Sequence, residues 1–118
     1  MKSPLETRRR PAARGRPIDF RAINAQALIN FLAVLHRLLP SGRPEGHEYV
    51  ALNPKRADRR FGSFKINLTT GRWADFASGD RGGDPISLVA FLFDVSQVDA
   101  ARCLARMLGV DGGGGRDE

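Results

Sequence analysis

The segment from 62 to 68, GSFKINL, limits the fold more strongly than any other part of this chain, because its apolar and polar residues alternate strictly. Phe64, Ile66 and Leu68 share one side, which is the two-residue period of a strand with one buried face. A Thr-Thr-Gly turn follows, and RWADF at 72–76 is expected to return as the antiparallel partner. One face of this hairpin must therefore be covered by other elements of the chain.

Three helices are predicted around this hairpin. Leucine and phenylalanine recur every three or four positions from about 24 to 39, and Asn24 is the expected N-cap of that helix. An Asp-Pro pair at 84–85 predicts the start of a second helix, since aspartate caps a helix and proline fits its first turn. Ser96 is expected to begin a third helix, which ends at Gly109. With a further short strand, EYVALN, before the hairpin, the predicted fold class is α+β: an N-terminal helix, a small antiparallel sheet and two C-terminal helices.

The positive charge of the chain is concentrated near its N-terminus. The 118 residues carry a net charge of +6, and residues 1–21 account for +5 of it, with seven Lys or Arg against two acidic residues. Residues 1–17 contain three prolines and almost no large apolar side chain, so we expect a disordered basic arm there. The folded domain is predicted to span 18–109, and the glycine-rich segment 110–118 is expected to be a tail or linker.

Cysteine content and hydropathy exclude several classes of protein. A single cysteine, Cys103, rules out an internal disulfide and fits a reducing cytoplasm. No apolar run approaches the roughly 20 residues that span a membrane, and the N-terminus lacks the apolar core of a signal peptide. His36, His47 and Cys103 are too few and too scattered for a structural zinc site. The sequence therefore predicts a cytoplasmic protein without membrane contact and without a metal or other cofactor.

Three aspartates are the candidates for catalytic chemistry, because carboxylates can hold Mg²⁺. Asp84 is explained as a helix cap, Asp80 as a turn residue, and Asp75 as an acceptor of hydrogen bonds from nearby backbone or from an arginine. The Gly82-Gly83 pair lacks the Lys-Ser/Thr of a phosphate-binding loop, and no nucleophile is paired with a histidine base. We predict that the protein is not an enzyme; a magnesium-dependent enzyme that uses these aspartates remains an alternative.

Basic residues around the sheet predict a face that binds nucleic acid. Lys65 points away from the apolar side of its strand, and the basic loop at 55–60 and the N-terminal arm add cations that neutralise phosphates. Trp73 fits two roles, a core residue or a platform on which a base stacks, and the sequence leaves this choice open. The predicted binding residues are Arg8, Arg9, Arg10, Lys55, Arg56, Arg59, Arg60, Lys65, Arg72, Trp73 and Arg81.

The order of these parts is similar to that of a known family. A small sheet, the run W-x-D-F-x-x-G-D-x-G-G-D-P-I-S-L from Trp73 to Leu88, and two helices resemble the zinc-ribbon domain at the N-terminus of bacterial and phage DNA primases. The resemblance is closer to the Cys-less version found near TOPRIM primase and primase–helicase proteins of phages, plasmids and integrated elements. It covers about residues 22–109.

The resemblance implies the shape of the ribbon without its metal. The family's later cysteine positions fall on Asp75 and Ser78, and its earlier Cys/His pair would fall within Tyr49–Leu52, where neither type occurs. Asp75 and Ser78 would then bridge the knuckle by hydrogen bonds. In the family this domain is not the polymerase but is associated with binding template single-stranded DNA and with choosing where primers start.

The implied function is a non-catalytic DNA-binding module that acts with a primase or helicase catalytic domain or chain of a mobile element. The alternative is a phage- or plasmid-encoded protein-interaction factor, an inhibitor or adaptor that keeps the scaffold and does not bind DNA. The sequence leaves open the preference for DNA or RNA and whether the chain is full-length or part of a larger primase.

Overall fold

The computed structural model describes residues 17–55 and 62–110. The predicted arm (apart from Pro17), residues 56–61 of the basic loop and the predicted tail beyond Val110 lie outside the described residues. Within the described ranges the chain forms four helices and one five-stranded sheet, which confirms the predicted α+β class. The elements in chain order are α1 (Phe20–Ile29), α2 (Phe31–Leu38), β1 (Arg43–Glu45), β2 (Glu48–Ala51), β3 (Phe64–Asn67), β4 (Trp73–Asp75), β5 (Arg81–Gly82), α3 (Pro85–Phe93) and α4 (Gln97–Leu108).

The sheet is an antiparallel meander in which each strand pairs with the next strand along the chain. The predicted hairpin is present as β3 and β4, with Phe64 opposite Asp75 and Ile66 opposite Trp73. Its turn passes through Gly71 at φ +81°, a backbone conformation that glycine adopts readily. Strands β1 and β5 are not predicted by the sequence, because three and two residues are too few to display a period.

One face of the sheet packs against the helices. The side chains of Tyr49, Phe64, Ile66 and Trp73 are buried in the same cluster as the apolar faces of all four helices. Phe91 of α3 joins the two layers, since its ring centroid lies 4.7 Å from that of Trp73. The alternation of β3 therefore turns Lys65 and the other polar residues toward the opposite, open face.

The predicted N-terminal helix is in fact two helices, separated by Asn30 with φ −135° and ψ 52°. The apolar stripe keeps its helical spacing through this break, so the sequence pattern cannot reveal the change of direction. The N-cap is also corrected: Asp19, not Asn24, accepts the hydrogen bond from the backbone N–H of Ala22, at 2.9 Å. Leu32, expected on the buried stripe, is 38% exposed.

Helix α3 begins where the sequence predicts. The Asp84 carboxylate accepts from the backbone N–H of Ser87 at 2.8 Å, and the Asp84 N–H reaches Ser87 Oγ at 3.3 Å, so the two residues form a reciprocal capping box. Asn24 supplies a further acceptor from α1, since its Oδ1 accepts from the backbone N–H of Ile86 at 2.9 Å. Asn24 thus satisfies the N-terminus of α3, not that of its own helix.

Helix α4 also has the predicted ends. Ser96 Oγ accepts from the backbone N–H of Asp99 at 3.0 Å, and Gly109 closes the helix in the left-handed region at φ 71°. The buried side of α4 is rich in alanine, which lets it lie close to α3 and α1. Its other side faces away from both helices.

Candidate nucleic-acid interface

The open face of the sheet places basic side chains next to a small residue. Lys65 of β3 lies opposite Ala74 of β4, and Ala74 lies opposite Arg81 of β5. A methyl group thus stands between two long cationic side chains in one row across three strands. This difference in length leaves a depression between them.

The depression has a volume of about 310 Å³ and collects side chains from four strands and the segments next to them. Three of its lining residues are cationic and one, Glu48, is acidic. Phe76 also lines it, and its side chain is 72% exposed although it is large and apolar. The residues that line the depression are Glu48, Lys65, Asn67, Arg72, Trp73, Ala74, Phe76, Arg81 and Gly82.

The cations of this face are weakly neutralised. Lys65 Nζ lies 3.9 Å from Glu48 Oε1, at the limit of a salt bridge, and both side chains are more than a third exposed. Such a pair contributes little in water. Within residues 17–55 and 62–110, neither Arg72 nor Arg81 takes part in a salt bridge. The face therefore carries positive charge that an anionic ligand can neutralise.

The sequence leaves two roles open for Trp73, a core residue or a stacking platform, and the structure places its ring in the core. Its side chain is 5% exposed, and its ring packs edge-on against Phe64 with centroids 6.2 Å apart. The indole N–H donates to Ser87 Oγ at 2.9 Å, which satisfies the one polar atom of the ring. A ring this deeply buried offers no face to a base, which favours the core role.

Gly82 explains how the Trp73 ring fits beneath the sheet face. A Cβ atom at this position would lie 2.4 Å from both Trp73 Nε1 and Ser87 Oγ, well inside contact distance. At Gly83 a Cβ would meet nothing within 4 Å. The first glycine of the pair therefore has a steric role that the second does not share.

Asp75 is wholly buried and holds a turn together. Its Oδ1 accepts from the backbone N–H groups of Ala77 at 2.9 Å and Ser78 at 3.3 Å, as expected for an acceptor of backbone hydrogen bonds. Its Oδ2 accepts from Asn53 Nδ2 at 2.7 Å, which ties the end of β4 to the segment after β2. The Ser78 hydroxyl donates to a different aspartate, Asp80, whose Oδ2 lies 2.8 Å away.

No group of three or more His, Cys, Asp or Glu side chains is placed to hold a metal ion in the part of the chain that the structure describes. Of the three candidate catalytic aspartates, Asp75 and Asp84 bond to turn and helix-start N–H groups, and Asp80 bonds to the Ser78 hydroxyl.

Lys55 is not brought to the depression. Its ammonium group forms a salt bridge with Asp94 at the end of α3 and lies 5.0 Å from the centroid of the Phe91 ring. It therefore belongs to the helical side of the molecule. The other predicted binding residues, Arg8, Arg9, Arg10, Arg56, Arg59 and Arg60, lie outside the described residues.

Phe76 is the residue of this face that the sequence reasoning misses. A signal for it exists in the WADF run: if Trp73 and Asp75 point inward, the two-residue period turns Ala74 and Phe76 outward. The second missed feature is β5, which pairs Arg81 with Ala74.

The described helices include none that is long and apolar enough to cross a membrane.

No protein-family model matches the sequence, and no curated protein matches it either.

Proposed function

We propose that this protein is a non-catalytic module that binds single-stranded DNA through the open face of its sheet. The observation that carries the proposal is the exposed Phe76 ring in the same depression as Lys65, Arg72 and Arg81. Proteins that bind single strands combine a cationic groove for the backbone with aromatic rings on which bases stack. In this assignment the three cations contact phosphates and Phe76 stacks on one base.

The aromatic ring favours a single strand as the ligand. A base can stack on Phe76 only if one of its faces is free, and in a duplex both faces are covered by neighbouring base pairs. The cations alone would attract any polyanion. The preference for DNA over RNA rests on the resemblance to primase domains.

The same resemblance supplies the cellular context of the proposal. The module would serve replication of a phage, plasmid or integrated element, in the cytoplasm, beside a primase or helicase catalytic domain or chain. The hydrogen bond between Asp75 and Asn53 supports this context. It links Asp75, which falls on a cysteine position of the resembled domains, to the residue that directly follows the Tyr49–Leu52 stretch in which their earlier metal ligands would fall.

The alternative function is a protein-interaction factor that keeps the scaffold and does not bind DNA. Exposed apolar side chains at the junction of α3 and α4, Phe93, Val95 and Val98, favour it. The two functions differ in one simple measurement, the affinity for a single strand at low salt.

Substitution of Phe76 by alanine tests the proposal. The variant should bind a fluorescent single-stranded oligonucleotide more weakly by about 1–3 kcal/mol, because one stacked base loses its partner. Fluorescence anisotropy at low salt measures this, with single-stranded DNA, single-stranded RNA and duplex of matched sequence as three ligands. The single-stranded DNA should bind most tightly to the unsubstituted chain.

Phe93→Ala is the matched control, since Phe93 is also an exposed phenylalanine but does not line the depression. It should leave DNA affinity unchanged. Equal affinity of the Phe76→Ala variant and the unsubstituted chain would remove Phe76 from the interface. Absence of binding to any single strand at low salt would leave the protein-interaction factor as the function.

A further inference from the structure

The junction of α3 and α4 exposes three large apolar side chains within six residues of sequence. Phe93 is 52% exposed, and Val95 and Val98 are each 39% exposed. The chain turns between them at Asp94, whose φ of 55° places a non-glycine residue in the left-handed region. The turn closes with the Val95 N–H donating to the carbonyl of Ala90 at 3.2 Å, which ties the backbone after the turn to the last turn of α3.

A groove of about 320 Å³ runs from this junction along the outer side of α4. Arg102 and Arg106 lie one turn apart along it, so their guanidinium groups border the same stretch. Among the described residues neither arginine takes part in a salt bridge. The residues that line the groove are Phe93, Val95, Asp99, Arg102, Cys103 and Arg106.

We propose that this groove docks an acidic, apolar segment of a partner protein. Phe93 and Val95 would receive an apolar side chain of the segment, and the two arginines would receive its carboxylates, for which a planar guanidinium offers two parallel hydrogen bonds. An apolar floor with arginine at its edge is also the composition of protein–protein interfaces.

A nucleic acid fits the groove less well than such a segment does. Beside the Phe93 ring the groove is lined by Val95, whose branched side chain offers no flat surface on which a further base could stack. The groove shares no residue with the depression on the sheet, so the chain can hold both ligands at once. The docking proposal therefore does not rest on the proposed DNA binding.

Cys103 provides a direct readout of groove occupancy. It is the only cysteine of the chain, it is partly exposed, and it lines the groove. A bound segment should cover its thiol and slow its alkylation by iodoacetamide. No label needs to be introduced for this measurement.

The experiment selects displayed random peptides on the full chain and measures how the enriched peptides affect alkylation of Cys103. We expect enriched peptides that combine Asp or Glu with a large apolar residue, and protection of Cys103 by them. The double variant Arg102→Glu with Arg106→Glu should lower their affinity about tenfold or more, because it places like charges together. Peptides in which Lys replaces the acidic residues should regain affinity for that variant.

Two matched variants separate the groove from the sheet face. Arg72→Glu with Arg81→Glu makes the same charge change on the depression and should leave peptide affinity unchanged, while Phe93→Ser should weaken it without any charge change. The proposal is overturned if no peptide is enriched, if the enriched peptides carry no acidic bias, or if they bind the Arg102/Arg106 variant equally well. It is also overturned if an oligonucleotide, and no peptide, protects Cys103.

Discussion

Gly82 and Gly83 are neighbours in the sequence, but only Gly82 has no room for a side chain. Gly82→Ala should lower stability by about 1–3 kcal/mol, because the new methyl group must displace the Trp73 ring or the Ser87 hydroxyl. Gly83→Ala is the matched control, with open space around its Cβ and no left-handed backbone. It should leave stability unchanged or slightly higher, since alanine restricts the unfolded chain.

Thermal unfolding followed by tryptophan fluorescence measures both glycine variants. The Gly82 variant should melt several degrees lower and should shift the emission of Trp73, the only tryptophan. Equal melting of the two variants would mean that the Trp73 ring is not packed beneath Gly82.

Burial of the Tyr49 hydroxyl predicts that the folded protein loses stability at alkaline pH. Its buried hydroxyl donates to the carbonyl of Leu39 at 2.7 Å and lies 3.2 Å from His36 Nδ1, and burial raises the pKa of Tyr49 above its usual value. The folded state then holds the phenolic proton more tightly than the unfolded chain does. The contribution of Tyr49 is therefore complete below about pH 10 and is lost as the pH rises through the raised folded pKa.

Tyr49→Phe should separate the two effects of the hydroxyl. At pH 8 the variant should be less stable by about 1 kcal/mol, because the Leu39 carbonyl loses its donor. Above pH 10 its stability should fall less steeply than that of the unsubstituted chain. Urea unfolding at several pH values between 8 and 11 measures both slopes, and parallel slopes would contradict the prediction.

Asn24 connects helix α1 to helix α3. Asn24→Ala should lower stability by about 1 kcal/mol, since the N–H of Ile86 loses its acceptor at the start of α3. Gln26→Ala, an exposed change on the same helix, should have little effect. Urea unfolding compares the two variants; if both changes were equal, the bond between α1 and α3 would contribute nothing measurable.

The elements that the sequence predicts are those with a local signal. The alternation around Ile66 predicts β3, and the capping residues Asp84 and Ser96 predict the starts of α3 and α4. The partners of Asn24 and Arg81 cannot be predicted in this way, because each is fixed by a neighbour distant in sequence or by a two-residue strand. For the same reason the split of the first helix at Asn30 is not visible in the apolar stripe.

The same distinction between local sequence signals and contacts between distant residues applies to the candidate site. The period of β3 predicts that Lys65 faces outward, and the same period in β4 would predict an outward Phe76. Burial of Trp73 depends on contacts from Phe64, Phe91 and Ser87, which only the folded chain brings together.

Two pairs of arginines that form no salt bridge within residues 17–55 and 62–110 belong to different surfaces of the molecule. Arg72 and Arg81 line the depression on the sheet, and Arg102 and Arg106 line the groove on α4. The net charge of +6 attracts a polyanion to the protein as a whole. A test of local contact must therefore hold the total charge constant while the position of the lost charge changes.

The salt dependence of DNA binding provides that test. Replacing Arg72 and Arg81 by alanine should flatten the dependence of log affinity on log salt by about 1.4, since each phosphate contact to a single strand contributes a slope of roughly 0.7. Replacing Arg102 and Arg106 removes the same total charge and should leave the slope nearly unchanged. Fluorescence anisotropy over a salt series measures all variants, and an equal reduction in both pairs would indicate attraction by net charge without a specific face.

Alanine at Arg56, Arg59 and Arg60 should weaken binding as well, and deletion of residues 1–17 should weaken it further, because these segments add phosphate-neutralising cations to those of the sheet.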